Sequence, residues 1–247
     1  MIPYVRREKI IDKLEEKELM YIDDFLGIFE DVSESTIRRD LKTLEEEGHI
    51  LLLRGGAVKL KGSSYEMPVG TKKFLYKEEK EKIAELAASF VTNDEVIYID
   101  SGTTCLSIPK YIKAKDVRII TTNVQVLNSL DNPNISSCAI VGGEVNKELD
   151  SISGPLTDQT LKNLYFDRAF IGTSGFGLEV GINTPDFKEA SKKCILKANS
   201  KKCYALADHS KFNKSTLCKA FELTECILLT DKRYQELDEK IEYFVAE

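Results

Sequence analysis

Small polar residues follow five predicted strands in the later part of this 247-residue chain, each group at the point where a strand ends. Hydroxyls and backbone amides can hold a phosphate or carboxylate, and glycine lets a ligand approach the backbone closely. The groups are Asp100 to Thr104, Thr121 to Asn123, Gly142 with Gly143, Gly172 to Gly175, and Asp208 to Lys211. One such loop is weak support, because turns favour these residues for structural reasons. Five at one sheet edge favour a ligand site.

A second group of chemically capable residues lies on one predicted helix, Val32 to Gly48, with Ser33 as its N-cap and Gly48 just past its end. At about 100° per residue, one face of this helix is apolar and the other carries hydroxyls and cations. The apolar stripe is Ile37, Leu41 and Leu44, and the opposite face is Ser35, Arg39 and Lys42, flanked by Arg38. Such a helix can enter a DNA major groove, although an ordinary surface helix has the same pattern.

The residues after this helix favour the DNA interpretation. A short apolar run, Ile50 to Leu53, precedes Arg54-Gly55-Gly56 and a second run, Ala57 to Leu60, which together predict a two-stranded ribbon with a glycine turn. A helix followed by a basic-tipped hairpin is typical of a winged helix-turn-helix. The predicted DNA-contacting residues are Ser33, Ser35, Thr36, Arg38, Arg39, Lys42, Arg54, Gly55 and Gly56.

The elements that position these residues follow from the hydrophobic pattern. Helices are predicted near residues 4–16, 22–29, 77–91, 106–112, 124–130, 155–164 and 186–199. Strands are predicted at 96–99, 117–121, 137–141, 168–171, 202–207 and 227–230. Apolar strands alternating with helices predict a mainly parallel sheet covered on both faces. The fold class is therefore α/β, with a winged helix-turn-helix at residues 1–60, a linker at 61–75 and a Rossmann-like effector domain at 76–247.

A family resemblance rests on two sets of motifs. Ser33-x-x-Thr-Ile-Arg-Arg-Asp-Leu-x-x-Leu-Glu-x-x-Gly48, followed by Gly55-Gly56-Ala57, resembles the DeoR-type bacterial sugar-operon regulators. The polar loops also resemble the effector domain of that family, which is similar in fold to ribose-5-phosphate isomerase. The resemblance implies a phosphorylated sugar, with Ser101 to Thr104 and Lys211 near its phosphate. The expected effector residues are Asp100, Ser101, Gly102, Thr103, Thr104, Thr122, Asn123, Gly142, Gly143, Asp167, Gly172, Glu189, Asp208 and Lys211.

A sugar-phosphate isomerase with an appended DNA-binding domain is the alternative function. Asp167 and Glu189 are spaced like that enzyme's first acid and its catalytic glutamate, but Phe170 and Val180 stand where its second acid and its lysine would fall. Without the second acid and the lysine, the chain lacks the groups that transfer the proton and stabilise the enediolate. His209 is interpreted as packing or a hydrogen-bond bridge. We therefore expect no catalytic residues, and a regulator that binds DNA without any ligand would leave the five loops unexplained.

Composition limits the remaining choices. The chain has no GxGxxG or Walker motif, and six cysteines with no C-x-x-C pair, so no cofactor and no metal site are expected. The absence of a long apolar run predicts no membrane partner and a cytoplasmic location. The net charge is −6, and residues 1–60 hold ten cations against fourteen acids. DNA binding then requires segregated charge and a homo-oligomer, either dimer or tetramer. We expect a repressor of a sugar-catabolism operon that binds double-stranded operator DNA.

Overall fold

A computed structural model describes residues 3–17, 19–29, 31–53, 55–60, 75–147 and 149–247. The chain divides into two compact units, Met1–Met67 and Pro68–Glu247. The predicted linker at 61–75 lies outside the described residues except for Leu75.

The described residues of the first unit form three helices and a small antiparallel sheet. The helices are α1 (Pro3–Glu16), α2 (Ile22–Ile28) and α3 (Glu34–Glu46), and the strands are β1 (Met20–Tyr21), β2 (Ile50–Leu52) and β3 (Ala57–Leu60). The sheet order is β1-β3-β2, so the predicted two-stranded ribbon gains a third strand. That strand has only two residues, which is too short for a periodic pattern. Apolar residues from all three helices and from β1, β2 and β3 form the core.

The helix predicted at Val32 to Gly48 is α3, and its ends differ partly from expectation. Ser33 precedes the helix in an extended conformation, but its hydroxyl bonds the hydroxyls of Ser35 and Thr36 at 3.0 and 2.9 Å, with no side-chain cap on an amide. The predicted side-chain cap is therefore wrong, because neighbouring hydroxyls compete for the same oxygen. Gly48 has φ +79°, which suits the position after a helix.

Charged side chains of α3 and of the residue after it contact the rest of the first unit. Arg6 of α1 forms an ion pair with Asp40 of α3, and both side chains are buried. At the other end, a carboxylate oxygen of Glu45 accepts a hydrogen bond of 2.9 Å from the amide of Leu52 in β2. Glu47, just past the helix, lies 3.7 Å from Arg7. Glu45 and Glu47 lie near the negative end of the helix dipole, where acids are unfavourable. Their tertiary contacts explain why acids occur at these two positions.

The second unit is built on a seven-stranded parallel sheet in the order β15-β14-β12-β9-β4-β5-β6. Its strands are β4 (Val96–Ile99), β5 (Val117–Thr121), β6 (Ile135–Ile140), β9 (Phe166–Gly172), β12 (Ser200–Leu206), β14 (Ile227–Thr230) and β15 (Tyr243–Val245). The helices are α4 (Lys77–Ser89), α5 (Ile108–Tyr111), α6 (Pro155–Leu161) and α7 (Phe187–Ala198). Two large clusters of buried apolar residues pack against this sheet. The predicted parallel α/β architecture is confirmed.

Several elements of this unit were not predicted as they occur. A hairpin pairs β7 (Glu144–Asn146) with β8 (Ser151–Ser153), and a three-stranded sheet joins β10 (Gly175–Gly177), β11 (Gly181–Thr184) and β13 (Cys218–Phe221). The helix expected directly after Thr104 is only the four-residue α5, preceded by turns, and residues 124–129 form a 3-10 helix. Within the described ranges, no helix has the length and apolar character needed to cross a bilayer.

Candidate functional site

The five polar loops meet at one edge of the parallel sheet. They follow β12, β9, β4, β5 and β6, which are consecutive neighbours, and the carboxyl ends of parallel strands lie at the same edge. This is the edge at which open α/β sheets usually bind ligands. The loops after β4 and β9 approach within backbone contact, because a Cβ built on Gly102 would lie 3.4 Å from the Cα of Gly172.

A buried charge network lies beneath this edge. It contains two acids, Asp100 and Glu189, and two lysines of α7, Lys192 and Lys193, all at most 5% exposed. The Nζ atom of Lys192 is 2.9 Å from Oε1 of Glu189 and 3.7 Å from Oδ1 of Asp100. Lys193 forms an ion pair with Asp100, and its Nζ is 3.9 Å from Oε2 of Glu189. The two acids and two lysines give the network no formal net charge.

Hydroxyl groups extend the network towards the loops. Lys192 Nζ donates to the hydroxyls of Ser101, Thr122 and Ser151 at 3.1, 3.1 and 2.9 Å. Ser151 in turn donates to Glu189 at 2.7 Å, and its oxygen is 2.6 Å from that of Ser101. Tyr98, inside the sheet, shares a 2.6 Å bond with Thr122. Each buried charge therefore has polar partners, as low-dielectric surroundings require.

Ionic partners keep Asp100 and Lys193 charged. Burial alone would raise the pKa of Asp100, but the ammonium groups of Lys193 and Lys192 outweigh burial and lower it. Burial alone would lower the pKa of Lys193, and the carboxylates of Asp100 and Glu189 raise it instead. Proton transfer within the Asp100–Lys193 pair is disfavoured on both sides.

Some predicted effector residues lie at the rim of the site, where a ligand has access. Ser101, Gly102, Thr103 and Lys211 are half-buried, and Gly142 is exposed. The turn after β4 uses the amides of residues 102, 105 and 106 in its own hydrogen bonds, whereas the amides of residues 103 and 104 have no backbone partner in the described part of the chain. Amides of this kind can bind an anion.

Other predicted effector residues are used by the fold itself. Asn123 accepts a 2.9 Å hydrogen bond from the amide of Gln125, and Asp208 accepts one of 3.1 Å from the amide of Ser210. Gly143 has φ +156°, and a Cβ there would lie 1.9 Å from Oγ1 of Thr157. These three residues shape the loops, and Thr104 and Gly172 are buried beneath them.

Asp167 does not belong to this edge, contrary to expectation. It lies near the start of β9, so it is at the amino end of the sheet. Its carboxylate accepts hydrogen bonds from the amide of Val96 at 2.9 Å and from Lys201 at 2.6 Å. Its spacing from Glu189 in the sequence suggested that Asp167 lies in the effector site. However, β9 runs from Asp167 towards Gly172, so the length of the strand separates Asp167 from that site. Phe170, between them, is buried against Tyr204.

Lys192, Lys193 and Ser151 were not predicted as part of the site. The available signal was the spacing of Glu189, Lys192 and Lys193, because residues three and four apart share one face of a helix. That face would ordinarily be interpreted as a solvated ion-pair surface. Only the sheet topology, which covers the helix and brings Asp100 against it, shows that these lysines are buried.

The predicted DNA-contacting face of α3 is exposed. Arg38 pairs with Glu34 at 2.7 Å, and Lys42 lies 3.7 Å from Glu46, while Arg39 is also exposed. The ribbon turn contains Gly55 and Gly56 at φ +86° and +79°, conformations that favour glycine. Arg54 lies outside the described residues. The cations of this face are thus only partly separated from acidic residues, because Glu34 and Glu46 lie on the same helix.

Comparison with known proteins decides the family. Residues 6–62 match the DeoR-like helix-turn-helix domain, and residues 76–232 match the DeoR C terminal sensor domain. The chain belongs to the DeoR family. It is accordingly a DNA-binding transcriptional regulator with a sensor domain, and not an enzyme.

Two relatives found by sequence agree with this assignment. The DeoR-family chain is 36% identical over 215 residues to FruR, an HTH-type transcriptional regulator of Bacillus subtilis (strain 168), covering 87% of this chain and 85% of that protein. It is 32% identical over 206 residues to the HTH-type transcriptional repressor GlcR of the same organism, covering 81% and 78%. Among solved structures, the sorbitol operon regulator SorC of Klebsiella pneumoniae is similar at a TM-score of 0.42 and 11% identity, covering 90% of this chain and 95% of that one.

Proposed function

We propose that this DeoR-family regulator is a repressor of a sugar-metabolism operon. A phosphorylated sugar controls it by binding the sensor domain at the carboxyl ends of the parallel strands. The observation that carries the proposal is the set of hydroxyl-rich loops that meet above the buried network of Asp100, Glu189, Lys192 and Lys193. Several hydroxyls, two amides and one half-buried lysine suit a ligand that has both hydroxyl groups and an anion. The similarity to GlcR, a repressor, supports the direction of control.

The charges of the buried network bear on the proposed position of the ligand's phosphate. The carboxylates of Asp100 and Glu189 would repel it, but Lys192 and Lys193 already neutralise them inside the protein. The network therefore offers no surplus positive charge. The phosphate is better placed against the turn of residues 101–104 and Lys211, and a sugar hydroxyl against the half-buried hydroxyl of Ser101.

The first prediction concerns this ligand. Hexose and pentose phosphates are expected to raise the melting temperature of the full chain more than the free sugars or inorganic phosphate do, because a ligand of the folded state stabilises it by mass action. Lys211→Ala and Thr103→Val are expected to weaken the best ligand by about tenfold each, as the loss of a charge or hydroxyl contact does.

Lys201→Ala is the matched control for the charge change. Lys201 is exposed and pairs with Asp167 at the opposite end of the sheet. This variant should bind the ligand as the wild type does. A thermal-shift panel in which no sugar phosphate acts, or in which Lys201→Ala weakens the ligand as much as Lys211→Ala, would refute the proposed site.

The second prediction concerns the operator. Arg39→Ala is expected to weaken binding to an operator fragment, enriched from random DNA by the wild-type protein, by about 1–3 kcal/mol if Arg39 contacts a base edge. If it contacts only phosphate, the loss should be similar on all DNA sequences and the salt dependence should become shallower. Gel shifts at fixed salt measure both, and wild-type affinity would contradict the assignment of α3.

The proposal also includes an assembly and a location. A homo-oligomer, either a dimer or a tetramer, would multiply the DNA-contacting surface, which compensates for the small cationic face of one α3. A regulator of this kind works in the cytoplasm, where double-stranded operator DNA and phosphorylated sugars are both present. Mass measurement of the full chain in solution tests the assembly.

A further inference from the structure

The described part of the sensor begins with two residues in constrained surroundings. Leu75 is buried, and Tyr76, directly before α4, has φ +51° and ψ +44°. This left-handed conformation is unfavourable for tyrosine, because Cβ approaches the following carbonyl oxygen. Such conformations persist where neighbouring groups hold them and are common in switch regions. Residues 61–74, which connect Tyr76 to the DNA-binding unit in sequence, lie outside the described residues.

The ring of Tyr76 contacts a loop of the proposed effector site. It lies edge-on to the imidazole of His209, with ring centroids 4.8 Å apart and an interplanar angle of 77°. Edge-to-face contact is a preferred geometry for aromatic rings. His209 begins the 3-10 turn His209–Lys211 that follows β12. The first residues of the sensor therefore touch the loop that contains Asp208 and Lys211.

His209 is held on its other side by Asp231, the residue after β14. Nδ1 of His209 is 2.5 Å from Oδ2 of Asp231, and the amide of His209 donates to Oδ1 at 2.6 Å. Two bonds to one carboxylate fix both the ring and the backbone of His209. The amide of Lys211 donates to the carbonyl of Asp208 at 3.1 Å. Lys211 and His209 therefore lie in one short hydrogen-bonded turn.

We propose that the contact between Tyr76, His209 and Asp231 transmits occupancy of the effector site to the segment that leads to the DNA-binding unit. This inference rests on the proposed function. A ligand shifts an equilibrium only through contacts that differ between two states. In this proposal, the contact between the rings of Tyr76 and His209 differs between the bound and the free state. The ligand changes that contact by binding Lys211. Tyr76 acts through His209 and is a positioning residue.

The test uses the full chain and two readouts. The melting-temperature shift caused by the most stabilising sugar phosphate measures effector binding, and operator affinity with and without that compound measures coupling. In the wild type we expect a change in operator affinity within the range of about five- to about 150-fold. Tyr76→Ala should keep the melting-temperature shift, and its change in operator affinity should fall to about twofold or less.

Conservative and control variants separate coupling from folding. Tyr76→Phe keeps the ring edge and should retain the wild-type coupling, whereas Tyr76→Leu keeps apolar bulk and should lose it. Tyr165→Ala removes a tyrosine that is 79% exposed and should behave as the wild type. In a double-mutant cycle, His209→Gln combined with Tyr76→Ala should lose no more coupling than either change alone, because both remove the same contact.

The outcomes distinguish the two hypotheses. Tyr76→Ala with normal ligand binding and wild-type coupling would overturn the transmission through Tyr76 and leave the proposed function intact. The same holds if Tyr165→Ala loses coupling to the same extent, or if the effects of Tyr76→Ala and His209→Gln add. A wild-type protein that no sugar phosphate stabilises would overturn the proposed function, and this inference with it.

Discussion

Replacing Lys192 by methionine is expected to lower the free energy of unfolding of the sensor by about 3–5 kcal/mol, the usual cost of removing one member of a buried ion pair. The side chain of Lys192 has no solvent exposure, and its Nζ atom lies within hydrogen-bond distance of three hydroxyls and of Glu189. Methionine has a similar length and fills the same space, so packing changes little. The loss comes from the carboxylates of Glu189 and Asp100, which stay buried beside a single remaining lysine.

Lys188→Met is the control, because it makes the same change on the same helix. Lys188 pairs with Glu144 at the surface, so this variant should lose far less stability than Lys192→Met. The urea dependence of hydrogen exchange in β4 and β9 measures the sensor separately from the first unit. Lys192→Met with Glu189→Gln should recover part of the loss, since the second change removes an uncompensated charge. Equal stability of the Lys192 and Lys188 variants would show that the network contributes nothing to folding.

The strands of the large sheet could be predicted because each one is a compact apolar run between polar turns. Val96 to Ile99, Val117 to Thr121 and Ile227 to Thr230 occur at the predicted bounds. The short strands were missed for the opposite reason. β10 and β11 are rich in glycine and small residues, and their pairing with β13 depends on contacts distant in sequence. Local patterns carry no signal for such pairing.

The site could be predicted only where residue type and strand end coincide. The loops that follow β4 and β12 come to one edge because parallel strands share a direction. Asp167 was placed wrongly because spacing along a sequence does not state which end of a strand a residue occupies. Lys192 and Lys193 were missed because a Glu-x-x-Lys-Lys helix normally faces water. Their buried charges are paired with Asp100, which is 93 residues from Lys193 in the sequence, so no local pattern indicates the pairing.

The second large effect is expected in the first unit, where Arg6→Met should lower the free energy of unfolding by about 3–5 kcal/mol. The carboxylate of Asp40 would then stay buried on α3 without the guanidinium that pairs with it. A core of this size supplies only about 3–5 kcal/mol in total. The variant unit should therefore be largely unfolded, and operator binding should be lost although Arg6 is too buried to contact DNA.

Arg7→Met separates this effect from a general loss of positive charge. Arg7 is the adjacent residue, half-buried, and lies 3.7 Å from the partly exposed Glu47, so the same substitution should cost no more than about 1 kcal/mol. Replacing the whole buried pair, Arg6→Met with Asp40→Leu, should restore folding, because apolar residues often substitute for a buried ion pair without loss. Hydrogen exchange across residues 34–46 of the full chain reports the folding of α3 in each variant. If α3 is protected from exchange as well in Arg6→Met as in Arg7→Met, the ion pair does not hold α3 in place.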